Sequence, residues 1–474
     1  MTGAPHLDVA VSGGGVAGLA AAHRVLELAP SAEVRVFEAG PRPGGWLQTE
    51  RTDEGYVIDR GPDSILTEKP AAMRLAERLG LAAEVVATEP GAHGAYIVHD
   101  GRLERVPEGF SVLAPSDPIA LARSPLLTVR GRLRAAADLV LPRGRGVSKG
   151  HLPPDQSLAA FVRRRFGGEV LDRLAQPLAG GIYGADPERL SLAATMPRFL
   201  ALEATHRSVT IGLMRRVRAA RARAASGARY HLFASFRRGI GALPEAVAAA
   251  LGERVRLGAS VATLAEGRSG YRLGLASGET IAARRVIVAV PAPRAAALVE
   301  RLDATLAGHL RAIRYGSAAV VTLAYAREAV PHPLDAYGFV VPAIEGRLVL
   351  ASTWSSVKWP GRAPAGKVLL RVFLGGATRP EVPRLGDAQL LAAARRELRA
   401  LMGVEAPPGL VRVDRFLDAM PHYHVGHLDR VEAIEDRASA MAGLSLAGNA
   451  YRGVGIPDAV ASGERAADEV LRDG

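Results

Sequence analysis

The residues whose types and spacing carry the most specific chemistry lie near the start of the chain. Gly13, Gly15 and Gly18 form a Gly-x-Gly-x-x-Gly run, with Gly14, Val16 and Ala17 between them. The first glycine permits a tight turn, the second lets a pyrophosphate approach the backbone, and the third lets a helix pack closely on a strand. A helix starting there offers unpaired N–H groups and a positive dipole end to phosphates. Glu38 follows at the position where a carboxylate accepts hydrogen bonds from a ribose diol. The chemistry implied is dinucleotide binding. His422, His424 and His427 have a spacing that would suit a metal, but no carboxylate or thiolate set beside them completes a site. Structural or pocket-lining roles are expected for this trio, and no metal.

The elements that must position these residues follow from the apolar pattern. His6 to Val11 is short and β-branched and reads as a buried strand; Leu19 to Leu28 reads as a helix, and Glu33 to Phe37 as a second strand ending in Glu38. Strand, glycine turn, helix, strand and acid together give the glycine run its meaning, against the competing reading of a glycine-rich turn in an unrelated α/β protein. Val255 to Leu264, Tyr271 to Leu275 and Arg285 to Val290 are also strand-like. Ala318 to Ala324, Arg347 to Ser352 and Lys367 to Leu374 suggest a second sheet. Residues 111–226 are helical in pattern and arginine-rich; within them Pro177 and Gly180 are ordinary stop signals, so these glycines could simply cap a helix. In the C-terminal segment from Leu444 to Val460 a strand enters a glycine-rich turn that a helix leaves.

Composition narrows the function classes. At 474 residues the chain exceeds one average domain, and 48% hydrophobic with 23% charged residues rules out wholesale disorder. The absence of cysteine excludes disulfides, thiolate metal sites, iron–sulfur clusters and cysteine nucleophiles, so redox chemistry would need a bound organic cofactor. A net charge of +12 suggests a polyanionic partner, but the cations are almost all scattered arginines, densest at Arg163 to Arg165 and Arg215 to Arg223. Without an aromatic-rich or zinc-finger pattern, solvated helix faces are expected rather than nucleic-acid binding. No basic-then-apolar leader is seen, and no stretch reaches the roughly 18 uncharged apolar residues of a spanning helix. A cytoplasmic chain is expected, touching a membrane only at its surface.

Longer segments add a resemblance. Glu38-Ala39-Gly40-Pro41-Arg42-Pro43-Gly44-Gly45-Trp46 resembles the second glycine doublet of FAD-dependent oxidases and desaturases of the amine-oxidase superfamily, where the chain passes close to the FAD diphosphate and ribityl. Tyr56 to Ser64 resembles the segment beside the flavin ring. Arg60-Gly61-Pro62-Asp63-Ser64, Met420 to His427 and Tyr451 to Asp458 together resemble the oxygen-dependent porphyrinogen oxidases of haem biosynthesis, with Gly181-Ile182-Tyr183 and Thr353 to Pro360 in support. The likeness runs from the first strand to the last helix.

That resemblance implies an α/β fold with a discontinuous Rossmann-like FAD-binding domain (1–90, 227–300 and 421–474), a mixed-sheet substrate domain (91–110 and 301–420) and a helical subdomain (111–226). It implies FAD contacts from Gly13, Gly14, Gly15, Val16, Ala17, Gly18, Glu38, Ala39, Gly44, Gly45 and Trp46. Further contacts are implied from Gly61, Pro62, Asp63, Ser64, Val261 (through its backbone, to the adenine), Phe416, Val454, Gly455 and Ile456. Spacing alone leaves the Val261 region open as an ordinary mixed-sheet segment. The last helix would point its N-terminus at the pyrimidine side of the flavin, and Gly181, Ile182 and Tyr183 would meet substrate.

The implied reaction removes six electrons from a porphyrinogen in three hydride-like transfers to flavin N5, with O2 reoxidising the flavin and giving hydrogen peroxide. It requires no side-chain nucleophile or metal. Asp63 is the ionisable candidate: beside the flavin it could accept a pyrrole N–H hydrogen bond, or it could cap a turn. Asp63 also leans the substrate toward coproporphyrinogen III, because the protoporphyrinogen IX oxidases typically carry Asn or Arg there. Protoporphyrinogen IX is the near alternative, an amine oxidase or carotenoid desaturase a more distant one, and a dinucleotide-binding regulatory protein without turnover the last. The position where many relatives carry a propionate-binding arginine corresponds to Ala95, so another arginine would take that role. Oligomeric state, membrane attachment and contact with the next haem-pathway enzyme stay open.

Overall fold

The structure is a computed structural model that describes residues 6–144, 146–147, 154–224 and 232–472. The expected boundary at 226/227 lies outside the described residues, as do the side chains of Arg221 and Arg223. Strand β1 (His6–Ser12) carries Val9, Ala10 and Val11, all fully buried. An uninterrupted apolar run of this kind belongs to a parallel strand covered on both faces. β1 pairs in parallel with β2 (Val34–Phe37) on one side and with the strand Thr280–Val288 on the other. Val255–Arg256 extends the sheet beyond β2, and Leu444–Leu446 pairs in parallel with Val286–Val288. The first half of Thr280–Val288 instead continues into an antiparallel meander with Gly270–Leu275 and Val261–Gly267. The single strand read over Val255 to Leu264 is therefore two, broken where Gly258 takes a φ of +65°.

Helix α1 (Val16–Leu28) packs on one face together with the last helix, Ile456–Arg472. Their contact is made of small residues. A Cβ added at Gly463 would lie 2.0 Å from the Ala17 carbonyl oxygen, so only glycine admits this approach. The opposite face is covered by the helices Ala292–Val299, Ala304–Arg311 and His427–Ser439.

A second sheet runs in the order Leu410–His422, Arg314–Ala326, Lys367–Gly375, Val349–Trp354, Gly338–Val340, Tyr96–His99 and Arg102–Arg105. It is antiparallel except between Gly338–Val340 and Tyr96–His99, hence mixed, and the helix Asp387–Met402 backs it. The three strands read from β-branched content all fall here: Ala318 to Ala324 and Lys367 to Leu374 lie within the longer Arg314–Ala326 and Lys367–Gly375, while Arg347 to Ser352 is shifted to Val349–Trp354.

The helical region has its own core around Phe161, Phe166 and Phe199. Two expectations change in it. The arginine run is a solvated face only in part: Arg163 is exposed and pairs with the exposed Glu188, and Arg215, Arg216 and Arg218 are exposed, whereas Arg165 is buried against Asp138 and Arg164 pairs with the buried Glu203. Nor does the helix around Pro177 stop at Gly180; it runs to Tyr183 and is capped by Gly184 in the left-handed conformation. A π-helical turn at Leu171–Ala175 leads directly into Gln176–Tyr183, and a proline in that first turn lacks only an N–H that would have no partner in a regular helix start.

Candidate functional site

The glycine turn is built as its spacing requires. Gly13 has a φ of +107° and an added Cβ would sit 2.5 Å from the Ala289 carbonyl oxygen; at Gly18 it would sit 2.0 Å from the Gly13 oxygen. Gly15 differs: its φ is −68°, and a Cβ there would meet nothing within 4 Å. The backbone thus leaves open space at the residue that begins α1, and no side chain caps that helix N-terminus. The second doublet is bound to this turn. Gly44 N–H donates to the Gly14 carbonyl at 2.8 Å, and a Cβ on Gly45 would come 3.3 Å from the Gly15 Cα.

Glu38 accepts from Gly14 N–H and Gly40 N–H, both at 2.7 Å, one to each carboxylate oxygen. Each oxygen keeps lone-pair capacity. Ala39 is exposed beside it, and the Glu38 carbonyl accepts from Ala259 N–H at 2.8 Å, which brings the start of Val261–Gly267 to the same edge. Arg42 holds the doublet by donating to the carbonyls of Pro43 at 3.1 Å and Gly45 at 2.9 Å. Sequence reading passed over it.

Distant stretches converge next to the doublet. An added Cβ on Gly61 would lie 2.4 Å from the Trp46 carbonyl oxygen and 3.5 Å from the Phe416 ring, and Trp46 meets Phe416 edge-on at 5.4 Å. Pro62 is exposed and Ser64 half-buried. Asp63 accepts from Lys358 Nζ at 3.1 Å, faces Arg371 at 3.4 Å and receives the Ser64 hydroxyl. Arg371 also donates to the Arg60 and Gly61 carbonyls. Burial pushes the Asp63 carboxyl up, but Lys358 and Arg371 outweigh it and hold the group well below the usual carboxylate range. Asp63 is a fixed anion that ties the turn to the second sheet, with two cations against its one charge.

Lys358 and Arg371 were missed, though each left a signal. Lys358 is one of four lysines in an arginine-dominated chain, and Arg371 stands alone inside an apolar strand. Behind them a second buried pair, Asp59 with Arg362 at 3.1 Å, repeats the pattern.

The C-terminal turn closes the far side. Tyr423 donates to the Asn449 carbonyl at 2.7 Å and accepts from Gly453 N–H at 2.8 Å, fixing the loop that carries Val454, Gly455 and Ile456 into the last helix. His427 stacks on Tyr423 with ring centroids 3.8 Å apart, and its Nε2 meets the Tyr451 carbonyl at 2.7 Å. Burial pushes His422 and His427 down to about 4, so both are neutral at pH 7. The last helix does not offer a bare N-terminus. Asp458 occupies its first turn, accepts from Gly455 N–H at 3.2 Å, and is paired with Lys69 at 2.8 Å. Gly181 and Ile182 are exposed on Gln176–Tyr183, while Tyr183 donates to the Thr195 carbonyl at 3.1 Å and is pushed up to about 12 by burial. Ala95 is half-buried at the edge of the second sheet.

Residues 16–471 match the family described as flavin containing amine oxidoreductase. The chain belongs to that family. The cofactor of this oxidoreductase is FAD, and the open backbone at Gly15, the uncapped start of α1 and the anchored Glu38 fit it. Among relatives, the chain is 34% identical to a coproporphyrinogen III oxidase of Bacillus subtilis (strain 168), over 98% of this chain and 97% of that one. It is 30% identical to a chloroplastic protoporphyrinogen oxidase of Oryza sativa subsp. japonica, over 98% and 88% respectively. A crystal structure from Exiguobacterium sp. 255-15 superposes with a TM-score of 0.87 at 29% identity, with both chains fully covered.

Proposed function

We propose that this flavoenzyme oxidises coproporphyrinogen III to coproporphyrin III, with O2 as final acceptor and hydrogen peroxide as co-product. The observation that carries the reading is the likeness to a coproporphyrinogen III oxidase along effectively the whole of both chains. Protoporphyrinogen IX is the second substrate considered, favoured by the likeness to the rice protein. Bound FAD supplies a two-electron acceptor that O2 can regenerate, and the product's aromaticity supplies the drive.

The chain's own groups bind, orient and exclude water. The N–H groups at the start of α1 hold the pyrophosphate in the space left at Gly15, and Glu38 accepts from a ribose diol. Val261 lies toward the adenine end; Gly44, Gly45, Trp46, Gly61 to Ser64, Phe416 and Val454 to Ile456 line the flavin end. Asp63 acts there as a positioning carboxylate rather than as an acid or base, since Lys358 and Arg371 keep it charged. Gly181, Ile182 and Tyr183 face the porphyrinogen. The FAD-binding part is assigned to 1–90, 227–300 and 421–474, the substrate part to 91–110 and 301–420, and the helical part to 111–226. No helix among the described residues is long and apolar enough to cross a membrane, and a cytoplasmic site of action is part of the proposal.

The test compares kcat/KM for the two porphyrinogens in air, following porphyrin fluorescence. A higher value for coproporphyrinogen III supports the assignment. A higher value for protoporphyrinogen IX reverses it, and no acceleration with either removes it.

A further inference from the structure

The turn that leads into the last helix is gripped by two rings from one short segment. The Tyr423 hydroxyl donates to the Asn449 carbonyl at 2.7 Å and accepts from Gly453 N–H at 2.8 Å. Stacked on it at 3.8 Å, His427 meets the Tyr451 carbonyl through Nε2, and among the described residues its Nδ1 has no partner. A neutral imidazole facing a carbonyl carries its proton on that nitrogen, so His427 is a donor there. Burial pushes the Tyr423 hydroxyl up, so it keeps the proton that the Asn449 bond needs. Three backbone groups between Asn449 and Gly453 are thus fixed by side chains that are themselves buried.

A clamp positions a loop only if it is itself held. The backbone of the same segment is tied to the helical region: the Tyr423 carbonyl accepts from Ser191 N–H at 2.7 Å, Val425 N–H donates to the Arg189 carbonyl at 2.9 Å, and Gly426 N–H donates to Asp155 at 3.0 Å. The other Asp155 oxygen accepts from the Ser191 hydroxyl at 2.9 Å. What lies just beyond the grip is left open. Among the described residues the N–H groups of Val454 and Ile456 donate to nothing, while Gly455 N–H is taken by Asp458. Backbone donors at the head of a helix stabilise developing negative charge well only when their direction is fixed in advance. Resting on the function proposed above, which puts Val454 to Ile456 against the flavin, we infer that Tyr423 is a positioning residue: through Asn449 and Gly453 it aims those two donors at the side of the flavin that gains electron density on reduction. The hydroxyl, not the ring, carries the role.

The experiment compares the FAD-loaded parent with Tyr423→Phe, His427→Phe and Ile97→Val. Tyr423→Phe keeps the ring and loses both hydroxyl bonds; His427→Phe keeps a ring against Tyr423 and loses the bond to Tyr451. Ile97 is fully buried in the strand Tyr96–His99, and its truncation controls for lost stability alone. The midpoint potential of the bound flavin is read by equilibration with a reference dye, with Tm and FAD titration alongside. Tyr423→Phe should weaken the binding of reduced flavin about tenfold more than that of oxidised flavin, which lowers the potential by about 30 mV. His427→Phe should shift it the same way by less, and Ile97→Val should lower Tm without moving it. In Tyr423→Phe, kcat for coproporphyrinogen III should fall while KM stays within about twofold of the parent. An unchanged potential in Tyr423→Phe would overturn the inference, as would an equal shift in Ile97→Val. Should Tyr423→Phe not fold, an unmoved potential in His427→Phe overturns it. A parent that holds FAD but oxidises neither porphyrinogen defeats the proposed function alone, because the potential is read without porphyrinogen.

Discussion

Gly15→Val separates the needs of the fold from those of the cofactor. Gly15 has φ −68° and ψ 171°, extended backbone open to any residue, and a Cβ there meets nothing within 4 Å. Valine at a helix N-cap forfeits about 1 kcal/mol relative to glycine, so the flavin-free chain should stay folded with Tm lowered by only about 1 °C. The open volume is the space assigned to the pyrophosphate, and a β-branched side chain would fill it. FAD affinity should drop at least about 100-fold, or about 2.7 kcal/mol. Gly13→Ala is the contrast: with φ +107° and 2.5 Å to the Ala289 oxygen, even a methyl group must deform the turn, costing about 3 kcal/mol or more. The assay is flavin-to-protein absorbance after purification, FAD titration of the flavin-free chain, and thermal unfolding of that chain. Gly15→Val purified with full flavin would refute the reasoning; so would Gly15→Val unfolding as readily as Gly13→Ala.

Other perturbations test the surroundings. Asp63→Asn leaves Lys358 and Arg371 buried without their anion, and unfolding free energy should fall by about 3 kcal/mol. Adding Lys358→Met should recover part of it, whereas strictly additive losses would mean the two groups are not coupled. Stability should also fall with acid. His422 and His427 sit near 4 in the folded chain against an ordinary 6.5, so the unfolded state binds more protons between these values. Their contribution is complete above pH 6.5 and is lost toward pH 4, about 2 kcal/mol for each by pH 5. An unfolding midpoint in guanidinium chloride that does not move between pH 7 and pH 5 would contradict this.

The parts of the molecule that could be read in advance are those where one residue type answers one local demand. The glycine turn, α1 and Glu38 are of this kind, because backbone conformation and close approach leave few alternatives. The second sheet was legible as separate from the first through its β-branched runs, though not its parallel pairing of Gly338–Val340 with Tyr96–His99, which depends on distant chain. The same limit hid the ion network. Asp63 could be singled out, but its partners lie 295 residues away at Lys358 and still further along at Arg371, and nothing local joins them. Pro177 and Gly180 misled for the opposite reason: both are strong local stop signals, overridden by a helix that begins from a π-helical turn and closes at Gly184. Asp458 shows a third case, a first-turn carboxylate whose meaning changes once Lys69 is found beside it.

The most direct measurement of the central claim is oxygen consumption by the purified yellow protein mixed with coproporphyrinogen III, with porphyrin followed in the same cuvette. Three O2 consumed and three hydrogen peroxide formed per coproporphyrin III, at a rate proportional to flavin-bound protein, is the predicted result. A protein that takes up no FAD, or a flavin-loaded protein that leaves the spontaneous oxidation rate unchanged, would contradict it.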